Sequence, residues 1–222
     1  MIEVDNISLE LKGKKILENI SLKLEDGSIT GLVGNNGCGK TMLMKCICGF
    51  VRVDRGTIKS DGKTIRKDID YLKNAGVIIE NPGFIDHYSG MRNLILLAGI
   101  KGKADREKLS EAMRLCGLDP ELKLPVKKYS LGMRQRLGIT QAIMEDQHNL
   151  ILDEPMNGLD KNGVGDIRKL LLGLKNKGKL ILLASHNPAD IDALCDVVYE
   201  MDNGKIQGCR NRCEIDDSFD GI

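Results

Sequence analysis

The sequence has no tryptophan, and only four tyrosines and three phenylalanines among 222 residues. That leaves little material for the ring platforms on which single-stranded nucleic acids stack. Charge of one sign is also missing: 33 Lys plus Arg face 32 Asp plus Glu. No global basic field argues for nucleic acid or an anionic membrane surface. No apolar run reaches the length of a membrane span, and Leu180-Ile-Leu-Leu-Ala184 is far too short. Met1-Ile-Glu-Val-Asp carries no apolar signal-peptide stretch. Seven cysteines occur without a C-x-x-C pair, which leaves a zinc site unsupported. Such usage fits reduced thiols in a reducing cytosol. The expectation is a cytoplasmic protein that meets a membrane only through a partner.

What is present is concentrated in one stretch, Gly34-Asn35-Asn36-Gly37-Cys38-Gly39-Lys40-Thr41, which reads G-x-x-x-x-G-K-T. A short apolar run, Ser28–Val33, precedes it, and good helix formers from Met42 to Gly49 follow. Strand, glycine loop and helix are the context that this phosphate-binding pattern requires. Gly34, Gly37 and Gly39 let backbone approach an anion closely. The loop N–H groups and the helix N-terminus then face the phosphates. Lys40 supplies a point charge, and Thr41 a hydroxyl for Mg²⁺. Cys38 is either a reactive thiol or a small filler.

Along the chain, Ile2, Val4, then Ile7, Leu9, Leu11 recur at spacing two; Lys12–Lys15 break the run, and Ile20, Leu22, Leu24 resume it. This predicts a strand, a turn and a returning strand. A second hairpin is predicted over Arg55–Ile58 and Asp61-Gly-Lys63, which places an antiparallel patch beside the P-loop strand. Val77-Ile-Ile79 reads as a strand ending in the loop Glu80-Asn-Pro-Gly83. Residues 86–148 show helical spacing and no clear strand. Strands then alternate with helices: Asn149–Leu152, a helix through Ile167 and Leu174, Lys179–Ser185, a helix over Ala189–Cys195, and Val197–Met201. The fold class predicted is α/β, a P-loop NTPase with a RecA-like parallel core sheet, an antiparallel β patch and a mostly helical inserted subdomain. The organisation predicted is a single domain, 1–222, with its core in 1–85 and 149–209, the helical part in 86–148 and an acidic tail in 210–222.

Two further patterns extend the site. Asp153-Glu154 ends an apolar strand, where an open parallel sheet places its ligands. Asp153 can complete a Mg²⁺ shell and Glu154 can accept a proton from attacking water. Upstream, Tyr129-Ser-Leu-Gly-Met-Arg-Gln-Arg136 resembles the signature motif of ABC-type ATPases, with Ser130 and Gly132 matching and Leu131 where a glycine is usual. Taken alone, Ser130 reads as an ordinary helix cap. Asn157-Gly-Leu-Asp160 resembles that family's D-loop, and Ser185-His186 its switch histidine. The resemblance covers about residues 2–208 and implies the nucleotide-binding subunit of an ABC transporter. It implies ATP and Mg²⁺ as ligands and a second ATPase subunit, identical or not, joined head to tail by ATP. It also implies transmembrane permease subunits as partners, while the balanced charge and scarce aromatics lead us to expect no nucleic acid. Each ATP would lie between one subunit's P-loop and the other's Ser130, Gly132 and Asp160, with Glu154 and His186 catalytic.

The departures narrow the resemblance. Glu80 stands where the family has glutamine, and it is expected to face both nucleotide and metal. Together, I-E-N-P-G-F and S-L-G-M-R-Q-R-L-G-I resemble ATPases that export, or give immunity to, bacitracin- and lantibiotic-type peptides. Leu11 and Lys12 stand near the place of the usual adenine-stacking aromatic, and Met42 replaces a hydroxyl after the lysine. Alternatives are an ABC ATPase for another cargo, or a non-transport ABC ATPase acting on nucleic acid or ribosomes.

Overall fold

The computed structural model describes residues 1–80, 83–100, 102 and 104–211. Asn81 and Pro82 of the expected loop, and the acidic tail from 212 onward, lie outside the described residues. The first two strands, β1 (Ile2–Leu11) and β2 (Lys14–Leu24), form an antiparallel hairpin. Its turn residues Lys12 and Gly13 have φ of 51° and 78°, the sense that matches strand twist. The alternation changes phase once in each strand. Buried Ile2 and Val4 are followed by buried Ile7 and Leu9, and buried Leu17 by Ile20. Asn6 and Asn19, with φ of 46° and 52°, absorb the first two of the hairpin's three register shifts as β-bulges. Their N–H groups donate to Ser21 Oγ at 2.9 Å and Ser8 Oγ at 3.0 Å, so neither is orphaned. Leu11, expected to continue the apolar series, ends outside the core at 40% exposure.

Next come β3 (Ile29–Val33), α1 (Lys40–Ile47), β4 (Arg55–Ser60) and β5 (Lys63–Thr64). The β4–β5 turn is Asp61-Gly62, as the D-G pair predicts. The antiparallel strands do not extend the P-loop strand. They make a sheet of their own, in the order β2-β1-β4-β5. One core joins this sheet to Leu43, Met44 and Ile47 of α1 and to Ile151, Leu180 and Leu182 of the main sheet. Helix α1 therefore lies within apolar material shared by both sheets, which spacing within single strands cannot reveal.

The remaining elements are β6 (Ala75–Ile78), α2 (Gly90–Gly99), α3 (Arg106–Leu115), α4 (Leu131–Ile143), β7 (Asn149–Asp153), α5 (Lys161–Asn176), β8 (Leu180–Ala184), α6 (Pro188–Leu194), β9 (Val197–Asp202) and β10 (Lys205–Asn211). The main sheet runs β10-β9-β3-β8-β7-β6, all pairs parallel except β9 with β10. Strand β6 begins two residues earlier than expected, and α6 one residue earlier. Pro188 is pre-set for the first helical position, and Asn187 caps the helix by accepting from Ala189 N–H. Ile151, Leu180 and Leu182 point into the α1 side, whereas Leu150, Leu152, Ile181 and Leu183 join α5 and α6 on the other. A sheet covered on both faces gives these near-continuous apolar strands.

Helices α2, α3 and α4 bury Leu94, Leu109, Met113 and Leu137 in a third cluster, which Val126 joins from the segment between α3 and α4. Helix α4 also sends Ile139 and Ala142 into the core on the α5 side. It lies so close to β6 that a Cβ on Gly76 would fall 1.8 Å from the Ala142 carbonyl oxygen. Only glycine allows that contact.

Candidate active site

Five parallel strands bring their carboxyl ends to one edge, and there β3 and β7 deliver the two main motifs. Between them runs β8. The glycine loop leaves β3 and turns back on Met201: a Cβ on Gly34, at φ 149°, would lie 2.1 Å from the Met201 carbonyl. Lys40 opens α1 and is buried, its Nζ donating to the carbonyls of Gly34 at 2.6 Å and Asn35 at 3.2 Å. Thr41 Oγ1 donates to Asp153 Oδ2 at 2.6 Å, joining α1 to the end of β7 across 112 residues. A cavity of about 520 Å³ opens here, lined by Asn36, Gly37, Gly39, Lys40, Thr41, Glu80, Asp153 and Glu154.

Glu154 is fixed by its backbone. Its φ is 50°, an unfavourable conformation for a glutamate. Its N–H donates to Ala184 O at 2.9 Å, and its carbonyl accepts from Gln135 Nε2 at 3.1 Å and from Asn157 N–H at 3.1 Å. The side chain meets His186, Nδ1 to Oε2 at 2.8 Å. Adjoining strand ends thus hold a carboxylate and an imidazole together beside the glycine loop. Gly34, Asn35, Asn36 and His186 line a neighbouring cleft. Cys38 is buried under the loop.

The other expected residues lie elsewhere. Ser130, Gly132 and Asp160 do not line the cavity. Ser130 Oγ caps α4 by accepting from Met133 N–H at 3.2 Å, and Asp160 Oδ1 caps α5 by accepting from Gly163 N–H at 3.0 Å. They share one surface, since a Cβ on Gly132 would sit 3.1 Å from the Gly158 carbonyl. Glu80 does line the cavity, but Lys45 Nζ holds its Oε1 at 2.5 Å. Neither Leu11 nor Lys12 reaches the cavity; its apolar wall from β2 is Ile16. Sequence reasoning missed Ile16 and Lys45, and named Gln135 and Asn157 only as members of the signature and D-loop runs, without a place at the cavity. The signal for Lys45 was its spacing, one helical turn from Thr41.

None of the six described cysteines is in a disulfide, and Cys209 alone among them is exposed. Burial pushes the Cys46 and Cys48 thiols up to about 12 and the Cys116 thiol up to about 11, so they are inert.

A glycine loop on a parallel sheet, with a carboxylate pair one strand away, defines a P-loop nucleoside-triphosphatase site. The sequence model for the ABC transporter family matches residues 17–157. The chain is 40% identical over 207 residues to the uncharacterized ABC transporter ATP-binding protein YybJ of Bacillus subtilis, covering 93% of this chain and 95% of that one. It is 36% identical to the bacitracin transport ATP-binding protein BcrA of Enterococcus faecalis, over 93% and 68% of the two chains. It is 33% identical to the lantibiotic transport ATP-binding protein SrtF of Streptococcus pyogenes, over 93% and 89%. A solved ATP-binding subunit of an ABC transporter superposes with a TM-score of 0.87 at 26% identity, covering 99% of this chain and 93% of that one. The chain belongs to the ABC transporter family, as an ATPase subunit. Among the described residues, no helix is long and apolar enough to cross a membrane.

Proposed function

We propose that this ATPase drives the transmembrane movement of antimicrobial peptides of the bacitracin or lantibiotic type, as export or as immunity. The chemistry rests on one observation: Glu154 and His186 are in contact at 2.8 Å beside the cavity where Thr41 meets Asp153. In this reading the loop N–H groups from Gly34 to Gly39, with Asn35, Asn36 and Cys38 between, bind and orient the phosphates of ATP. Lys40 exchanges its carbonyl partners for phosphate oxygens, a stronger charge-assisted contact. Glu154 takes the proton of the attacking water. His186 holds the Glu154 carboxylate in place and reaches toward the terminal phosphate.

Thr41 Oγ1 and Asp153 Oδ2, 2.6 Å apart, are the hard oxygen donors that Mg²⁺ prefers alongside phosphates. These two residues would hold the ion, while Glu80 is engaged by Lys45. When bound, the ion would offset negative charge on the transferred phosphoryl group. Ser130, Gly132 and Asp160 form the surface offered to the nucleotide of a second ATPase subunit, identical or not. Permease subunits would hold the pair at the cytoplasmic face of the membrane. The cargo is supported by the names of the BcrA and SrtF relatives and by the I-E-N-P-G-F and S-L-G-M-R-Q-R-L-G-I runs.

The cargo is tested in cells. A strain lacking this chain should become sensitive to bacitracin or a lantibiotic, and the wild-type gene should restore resistance. Unchanged sensitivity to both peptides, with ATP turnover of the purified chain intact, would remove the cargo and leave the ATPase.

A further inference from the structure

Thr41 and Lys45 are one helical turn apart on α1 and so share a face. Each holds a carboxylate from a different strand end: Thr41 holds Asp153 of β7, and Lys45 holds Glu80 just beyond β6. Both Lys45 and Glu80 line the nucleotide cavity. Glu80 sits at φ 62°, a backbone region that a glutamate enters only when its surroundings impose it. Three carboxylates, Glu80, Asp153 and Glu154, line a cavity whose ammonium groups are those of Lys40 and Lys45. Such a balance is poorly suited to an entering polyphosphate unless each carboxylate is engaged. Thr41 hydrogen-bonds Asp153 and His186 contacts Glu154. Lys45 is the group that engages Glu80.

We propose that Lys45 is a positioning residue that neutralises and holds Glu80, so that a carboxylate at this place admits the triphosphate. The proposal rests on the ATP-binding reading of the cavity. Its distinguishing feature is conditional: Lys45 matters because residue 80 is Glu.

The test measures affinity of the full chain for a fluorescent ATP analogue in four proteins: wild type, Lys45→Met, Glu80→Gln and the double variant. Lys45→Met should weaken binding about five- to tenfold in the wild-type background, and the loss should shrink with added salt because screening weakens charge repulsion. The same substitution on Glu80→Gln should change affinity less than about twofold, as a residue with no partner left to couple to. Lys45→Arg keeps the charge and should retain wild-type affinity, which guards against a simple packing defect. An equal, salt-independent loss in both backgrounds would overturn the proposal. Failure of the wild-type chain to bind the analogue would instead overturn the ATP reading itself.

Discussion

The cavity at the glycine loop and the surface at Ser130 use the same kinds of side chain in opposite ways. In the cavity, polar groups bond across elements: Thr41 to Asp153, Lys45 to Glu80, His186 to Glu154. At the other surface, Ser130 and Asp160 bond within three residues of themselves, each closing its own helix. The first site is assembled by the fold of one chain. The second is a pair of capped helix starts whose remaining hydrogen-bonding capacity faces outward. In the proposed reading one chain builds the catalytic half and only presents the binding half, the division expected if each half completes a neighbour.

The largest effect that would sharpen this contrast is at Glu154. Glu154→Gln should keep ATP affinity while turnover falls about a hundredfold to ten-thousandfold; turnover near wild type in a phosphate-release assay would show that the proton goes elsewhere. A smaller but more selective effect is expected at the presenting surface. Ser130→Arg, read by nucleotide titration and by sizing with ATP, should bind ATP as a monomer within about twofold of wild type yet form no ATP-dependent dimer. A normal dimer would break the comparison, because the surface would then be no more than two helix caps. The smallest effect is on stability. Asp160→Ala removes the cap of α5 and should cost about 1 kcal/mol, a fall in melting temperature of about 2–4 °C for a chain of this size. A turnover loss far beyond that of equally destabilised variants elsewhere would mark Asp160 as more than a cap.

The glycine loop was legible because its spacing is itself the structure: glycines where backbone crowds Met201, and a lysine opening the helix. Asp153-Glu154 was legible because an apolar strand ending in carboxylates says where a sheet edge lies. Elsewhere the information is not local. Alternation puts Leu11 on the face of Ile7 and Leu9, and it cannot foresee that the register slips once more after Leu9, at the end of the hairpin where Leu11 is exposed. No strand pattern states which neighbour will cover it, hence the antiparallel strands were placed beside β3 rather than across α1. The Lys45–Glu80 pair spans 35 residues, and Glu80 read alone shows an added charge without the ammonium that answers it.

The irregularities of the β1–β2 hairpin behave like shifts of a reading frame. The bulges at Asn6 and Asn19 offset each other, so Leu9 faces Leu17 in the frame set by Val4 and Leu22; the frame then slips again after Leu9, where Ile16 is passed over and Glu10 faces Lys15 and Leu11 faces Lys14. Asn6 and Asn19 act as a compensated pair of frameshifts, and Ile16 as a third that nothing further along the hairpin compensates. The third slip is the one that matters at the cavity, because a Cβ on Gly39 would already touch the Leu17 side chain at 3.0 Å and the Ile16 carbonyl at 3.2 Å. The first two slips cancel, and the third delivers Ile16, the residue passed over in the pairing with β1, as the apolar wall of the cavity.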